Sequence, residues 1–250
     1  MLVTGKAGKM MNTVKNSQAL PAESRMQLTV VIPVLNEASN LARLRQQIHT
    51  LVNAGCEVVV ADGGSNDASL ALATEPGVYW LSATRGRASQ MNAGAALASR
   101  EVILFLHADT QLPDTAIADI ASAVAGPAAC WGRFDVVIAG RSRLLPVIAA
   151  MMNLRSRISG IATGDQAVFV RRDVFAQLGG FPQQDLMEDI ELSWRLRKHS
   201  RPVNLRTKVV TSGRRWDDNG ACKTILLMWH LRLLYSLGTP AAELAKRYRR

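Results

Sequence analysis

Four short apolar runs in the first half of the chain each break off into polar, turn-forming sequence, with stretches of helical periodicity between them. LTVVIPV leads to Asn36-Glu37, CEVVVAD to Gly63-Gly64-Ser65-Asn66-Asp67, VYWLS to Thr84-Arg85-Gly86-Arg87, and EVILFLHAD closes on His107-Ala108-Asp109. NEASNLARLRQQIHTLVNAG sets Leu41, Leu44, Ile48 and Leu51 at helical spacing and stops at Gly55. ASLALAT and RASQMNAGAALAS are the next two helical stretches. Strands and helices alternating through connections of a few residues predict an α/β fold, a parallel sheet with helices on both faces.

The second half is less regular. WGRFDVVI, QAVFVRR and the VNLRTKVV region read as strands, with LLPVIAAMMNL and EDIELSWRLRK as helices, and this mixed order extends the same sheet. TILLMWHLRLLYSLG is an apolar helix interrupted by His230 and Arg232. The expected organisation is a flexible basic leader over residues 1–26, one domain over 27–218, and a helical tail over 219–250. Two readings of the tail stand open. Ile225–Leu237 with the cations at 246, 247, 249 and 250 suits an interfacial membrane anchor, or the helix packs on the domain's own core.

Composition narrows the function classes. With 48% hydrophobic residues the chain is no disordered protein. Cys56, Cys130 and Cys222 are too widely spaced for a disulfide framework or zinc cluster, so a reducing, cytoplasmic compartment is expected. No apolar run has the roughly 18–20 residues of a spanning helix, and the basic start lacks a signal-peptide core. The net charge of +10 is concentrated at the ends. Lys6, Lys9, Lys15 and Arg25 against Glu23 give +3, and six cations against Glu243 in residues 219–250 give +5, which leaves +2 for the body. A nearly balanced body argues against nucleic acid as a partner, whereas a basic tail suits an anionic membrane surface at the inner face.

In open α/β sheets ligands bind outside the carboxyl ends of the strands. Those ends here gather acids and arginines. DGGSND is an ordinary turn and helix start with Asp67 as N-cap, or Asp62 accepts hydrogen bonds from a nucleobase while the glycines let the backbone approach it. Arg85 and Arg87 are solvated loop charges or neutralise a diphosphate. On strand-like backbone His107 and Asp109 would point the same way, as a structural pair or as holders of a divalent ion. Farther on, Asp165 and Gln166 precede a strand. Glu188, Asp189 and Glu191 open a helix, either as dipole-stabilising acids or with one of them as a general base. Asp189 shares the inward stripe of Leu192 and Leu196, and Glu191 is expected to turn away into solvent. Arg214, Arg215 and Trp216 are an ordinary surface loop, or combine cations with an aromatic able to stack on a sugar.

In order, VVIPVLNE, VVVADGGSND, ILFLHADT, GDQAVFV, GGFP and MEDIELSWRL resemble glycosyltransferase family 2 with its GT-A fold, a Rossmann-like, mostly parallel sheet flanked by helices, over about residues 28–218. RGRASQMNAGAA, WGRFDV, MNLRSRISGIATGDQ and TSGRRW are similar to a bacterial subgroup commonly named for arsenosugar biosynthesis. The resemblance implies a nucleoside diphosphate sugar donor, a UDP-sugar foremost, with Asp62 at the base and Glu37 near the nucleotide. It places Asp109 as the last acid of a D-x-D motif holding Mg²⁺ or Mn²⁺, with His107 where the first acid is usual. Asp189, beside Glu188, matches the general base of inverting members, and Arg215-Trp216 the end of Q-x-x-R-W, with Ser212 replacing its first residue. The implied reaction is direct displacement by an acceptor hydroxyl. A noncatalytic nucleotide-binding or membrane-surface scaffold is the alternative. A dinucleotide-binding oxidoreductase is disfavoured, because VLNEAS follows the first strand where G-x-G-x-x-G belongs.

Overall fold

The apolar runs of the first half become β1 (Leu28–Val34), β2 (Glu57–Asp62), β3 (Val78–Ser82) and β4 (Val102–Phe105) in the computed structural model, which describes residues 28–126 and 129–248. β1 pairs in parallel with β2 and β4, and β2 with β3, so all four carboxyl ends share one edge. Alternate residues of each strand enter opposite layers. Val30, Ile32, Val58 and Val60 join Leu44, Ile48 and Leu51 of α1 (Leu41–Asn53). Val31, Val59 and Ile103 join Ala88 and Met91 of α2 (Arg87–Leu97) on the other face. The continuous apolar runs are thus explained by cover on both sides. ASLALAT forms a 3₁₀ segment, Ala68–Thr74, capped by Asp67, whose side chain accepts from the Ser69 amide at 2.9 Å.

The rest of the chain adds β5 (Thr110–Gln111), α3 (Ala116–Val124), β6 (Trp131–Ala139), α4 (Leu145–Ser159), β7 (Val168–Arg171), α5 (Arg172–Gln177), α6 (Glu188–His199), β8 (Val203–Ser212), α7 (Arg214–Asn219), α8 (Ala221–Ser236) and α9 (Ala241–Tyr248). The second half does extend the same sheet, in the order β3-β2-β1-β4-β7-β6-β8-β5. β7 runs antiparallel to β4, with Val168 opposite Phe105. The segment entering β7 therefore lies beside the segment leaving β4. β6 is antiparallel to β7 and parallel to β8, so the exits of β6 and β8 reach the same edge. One reversed strand thus brings residues from both halves to one rim.

The basic leader expected over residues 1–26, and Arg249 and Arg250, lie outside the described residues. Beyond residue 218 the helices pack back onto the sheet domain. Leu231 of α8 and Leu244 of α9 are fully buried with Ile161, Met187 and Ile190 in a third apolar cluster. No helix among the described residues is long and apolar enough to cross a membrane.

An ion triad fastens α4 to the sheet. Arg133 of β6, 0% exposed, donates to Asp135 and to the carbonyls of Phe134 and Asn153 at 3.1 and 3.2 Å. Arg157 of α4 takes the other Asp135 oxygen. The Asn153 amide pairs with both backbone groups of Val136, at 2.9 and 3.0 Å, as a neighbouring strand would. Removing the shared anion would leave Arg133 charged and unpaired in the core. Asp135→Ala should cost about 3–5 kcal/mol. Arg157→Ala, which removes the half-exposed arm, should cost about 1 kcal/mol. Urea unfolding followed by tryptophan fluorescence measures both.

Candidate active site

A cleft of ≈ 760 Å³ opens where the carboxyl ends converge. Glu37 reaches it from the exit of β1, Arg85 from the β3–α2 connection, Arg87 from the first position of α2, and His107 and Asp109 from beyond β4. Its floor is braced by Gln90, whose amide donates to the carbonyls of Val34 and Ala61, both at 2.8 Å, and so ties the ends of β1 and β2. Gly63 lies against Gln90 so closely that a Cβ there would stand 2.9 Å from it. Glu37 is fixed by its own amide, which donates to Ser69 Oγ at 2.7 Å, and by its carboxylate, which accepts from Asn40 at 2.7 Å.

The second half closes the cleft through one glycine. Gly164, just before β7, donates its amide to Asp189 Oδ2 at 2.9 Å, and Ile190 donates to Oδ1 at 2.8 Å. Both oxygens of Asp189 are thereby aimed. The same glycine lies flat against the His107 ring; a Cβ there would overlap ring atoms Cε1 and Nε2. The next residue, Asp165, sets Oδ1 3.4 Å from His107 Nδ1. The chain turns at 107–110, the Thr110 amide donating to the His107 carbonyl at 3.0 Å. His107 and Asp109 are consequently not a strand pair. His107 is buried against Asp165 and Gly164, and Asp109 is half-buried on the cleft wall. Among the described residues three non-glycine residues adopt positive φ, Asn36 (55°) before Glu37, Ala167 (47°) at the start of β7, and Met187 (65°) before Glu188. Left-handed backbone on such residues is strained and persists only where packing enforces it. Met187 in this conformation delivers Glu188 and Asp189 as the first two residues of α6.

Charges of both signs are crowded here. Burial, reinforced by the neighbouring Asp189 charge, pushes the Glu188 carboxyl up to about 7. Burial also raises Asp189, against the two amide hydrogen bonds that favour its anion. Desolvation would raise Asp165, but the His107 contact, with Arg87 and Arg215, holds it below the usual range. Arg87 is held above its ordinary value despite desolvation, by Asp165, Glu188 and Asp109 among others. Arg215 stacks its guanidinium on Tyr248, 3.5 Å from the ring centre, and donates to the Tyr248 carbonyl at 3.1 Å.

A second chamber of ≈ 370 Å³ adjoins the cleft and shares Arg87, His107, Glu188 and Tyr248 with it. Asp165, Asp189 and Trp216 line it, but most of its wall is apolar, including Ile148, Met151, Met152, Ile225, Met228 and Trp229. Arg155 and Arg232 also line it, and neither they nor Tyr248 was anticipated from the sequence. Burial lowers the Arg155 pKa, while the Asp189 charge works to raise it. A tyrosine in a basic tail and arginines inside apolar helices carry no local signal. Only the packing of α4, α8 and α9 on the rim brings them in.

Some expected residues stand elsewhere. Asp62 is buried and spends its carboxylate on the amides of Gly64 and Ser65, at 3.0–3.1 Å, within its own turn. Gln166, 0% exposed, closes a capping box with Thr163 and does not line the cleft. Arg214 is exposed and donates to Ser39 Oγ at 3.2 Å, outside both chambers. Glu191 does not face open solvent. It pairs with Arg195 at 3.0 Å and accepts from Tyr235 of α8 at 3.5 Å, because α8 covers that side of α6.

Among the described residues, no group of three or more His, Cys, Asp and Glu side chains could hold a metal ion. Asp109 offers a carboxylate on the cleft wall, where it accepts from Thr110 at a long 3.4 Å. One carboxylate with substrate phosphate oxygens and water is a donor set that fits Mg²⁺ or Mn²⁺.

The raised Glu188 pKa fixes the sign of a stability effect. An acid whose pKa lies higher in the folded protein favours folding below its unfolded pKa. That stability is lost as pH rises towards about 7. Glu188→Gln should therefore stabilise the protein at pH 8, by up to about 3 kcal/mol, and leave it unchanged at pH 4. Denaturant unfolding at the two pH values measures this.

The family model described as Glycosyl transferase family 2 matches residues 29–178. The fold recurs in solved structures. A crystal structure of Staphylococcus aureus TarS 1-349 has a TM-score of 0.61 and 17% identity, over 75% of this chain and 61% of that one. TarS has also been crystallised in complex with UDP-GlcNAc, with a TM-score of 0.61 over 75% of this chain and 58% of the other. The mannosyltransferase PcManGT from Pyrobaculum calidifontis, in complex with GDP-Man and Mn²⁺, has a TM-score of 0.54 and 22% identity, over 74% of this chain and 56% of that one. The chain thus spans about three-fifths of the length of these structures. No curated protein matches its sequence. The matched stretch covers more than half of the chain, from β1 through α5, and the chain belongs to glycosyl transferase family 2.

Proposed function

We propose that the protein is an inverting glycosyltransferase that moves a sugar from a nucleoside diphosphate sugar, a UDP-sugar foremost, to an acceptor hydroxyl. The observation carrying this reading is the placement of the Glu188–Asp189 pair. Glu188 lines both a polar cleft at the sheet's carboxyl edge and an apolar chamber, and Asp189 lines the chamber beside it. A donor lying in the cleft would present its anomeric carbon beside that pair, and an acceptor in the chamber would meet it from the other side.

Asp189 takes the proton from the acceptor hydroxyl as that oxygen attacks the anomeric carbon, and the bond from that carbon to the diphosphate breaks with its electron pair. A single displacement inverts the centre. Two amide hydrogen bonds hold the carboxylate in place, and its raised pKa makes it a better base near neutral pH. Arg87 and Arg215 line the cleft where the departing diphosphate needs positive charge. Asp109 would hold Mg²⁺ or Mn²⁺, which supplies further neutralisation of the diphosphate. Glu37 and the turn tied together by Asp62 would meet the nucleoside. The motifs shared with the arsenosugar-named subgroup support placing the chain there.

Release of UDP from UDP-sugars by the purified protein tests the activity; no release with any common donor would refute it. Asp189→Asn should lower kcat by about 10²-fold or more with donor affinity unchanged. Wild-type turnover in that variant would move the base elsewhere, with Asp165 next. Asp109→Ala should remove the gain in UDP affinity that Mn²⁺ gives the wild type, as titration calorimetry would read.

A further inference from the structure

The two helices flanking the apolar chamber each carry an outward apolar stripe. On α4 and its N-cap these are Leu144, Val147, Met151, Leu154 and Ile158, the last 79% exposed. On α8 and its C-cap they are Leu226, Trp229, Leu233 and Leu237, the last 73% exposed. The spacings keep each set on one face. The stripes are continuous with the chamber, because Met151 and Trp229 are exposed and also line it. Exposed Arg143 stands beside the first stripe, and exposed Lys223 beside the second. An apolar patch of this kind, bordered by cations, marks a surface that meets something apolar and anionic.

Inside the chamber the charge pattern is specific. Arg155 Nε and Nη2 and Arg232 Nε are buried without a hydrogen-bond partner. Buried guanidinium nitrogens without acceptors are costly, and an anion arriving between them would satisfy them. Asp189 and Glu188 line the same chamber. A volume of ≈ 370 Å³ is within the range of small-molecule sites, and walls of methionine and isoleucine give a sugar acceptor few partners for its hydroxyls.

Resting on the glycosyl-transfer reading above, we propose that the acceptor is an anionic membrane lipid whose headgroup carries a phosphodiester and a free hydroxyl. Its phosphate lies between Arg155 and Arg232, its hydroxyl reaches Asp189, and its chains leave between the stripes of α4 and α8, which rest on the bilayer. In the reaction the lipid hydroxyl oxygen bonds to the anomeric carbon, its proton passes to Asp189, and the nucleoside diphosphate leaves with the bonding pair. No further reactant is needed.

The test uses the full chain with vesicles of phosphatidylglycerol or of phosphatidylcholine, and reads the UDP-induced rise in melting temperature on the same samples. The wild type should float with phosphatidylglycerol and not with phosphatidylcholine, and should transfer sugar to the former. Leu226→Ser/Leu233→Ser should lose flotation by more than tenfold at an unchanged melting temperature, which reports folding. Arg155→Gln/Arg232→Gln should still float but lose at least tenfold in transfer to phosphatidylglycerol. A wild type that shows the UDP shift but ignores phosphatidylglycerol, or that glycosylates water-soluble glycerol 3-phosphate as well as the vesicles, overturns the lipid acceptor and leaves the proposed function standing. Flotation with phosphatidylglycerol but without any UDP shift overturns the proposed function, and with it the acceptor role of the lipid.

Discussion

The site depends on the absence of a side chain at residue 164. There the backbone presses on the His107 ring from the first half of the fold and donates its amide to Asp189 from the second. Asp165 adds an electrostatic contact to the same histidine. A Cβ at this point would force the ring away and loosen the only hydrogen bond that ties the segment before β7 to the Asp189 side chain among the described residues. The reversed strand β7 makes the meeting possible, because it starts where β4 ends.

Around that contact the fold separates two environments. The cleft is built from strand exits, where backbone ends and short loops can hold acids and arginines at the edge of water. The chamber is built from helices packed on the rim, and its wall is apolar. Glu188 lines both and Asp189 the chamber, and this position explains their raised pKa values: burial on the apolar side, with a second carboxylate alongside, disfavours both anions. For Glu188 the Arg87 charge on the cleft side works against this rise.

The ion triad of Arg133, Asp135 and Arg157 has a related role in holding α4. Its Arg133 end lies in the core, and the turn of α4 that carries Arg157 also carries Arg155. Buried ionic groups give little net stability, but they accept one geometry only. Here that geometry fixes which face of α4 turns towards Asp189.

Much of this was written locally. Apolar runs of four to seven residues ending in Asp, Glu or Arg specify strands and the rim at which their polar residues gather, because a strand buried on both faces can carry charge only at its ends. Helix periodicity placed Asp189 on the inward side with Leu192 and Leu196, and the ordered motifs gave the family. What the sequence did not fix was contact between distant segments. It could not show that Gln166 is spent on Thr163, that Asp62 serves its own turn, or that Glu191 is covered by α8, because a polar side chain near a site has several partners of equal chemistry and only packing selects one. Arg155, Arg232 and Tyr248 reach the site only through the docking of α4, α8 and α9 on the rim. Local sequence determines where a strand ends and which face of a helix is apolar, since both follow from nearest-neighbour geometry. The tertiary structure alone decided which buried charges meet, since that depends on the direction of β7 and on the shape left between helices.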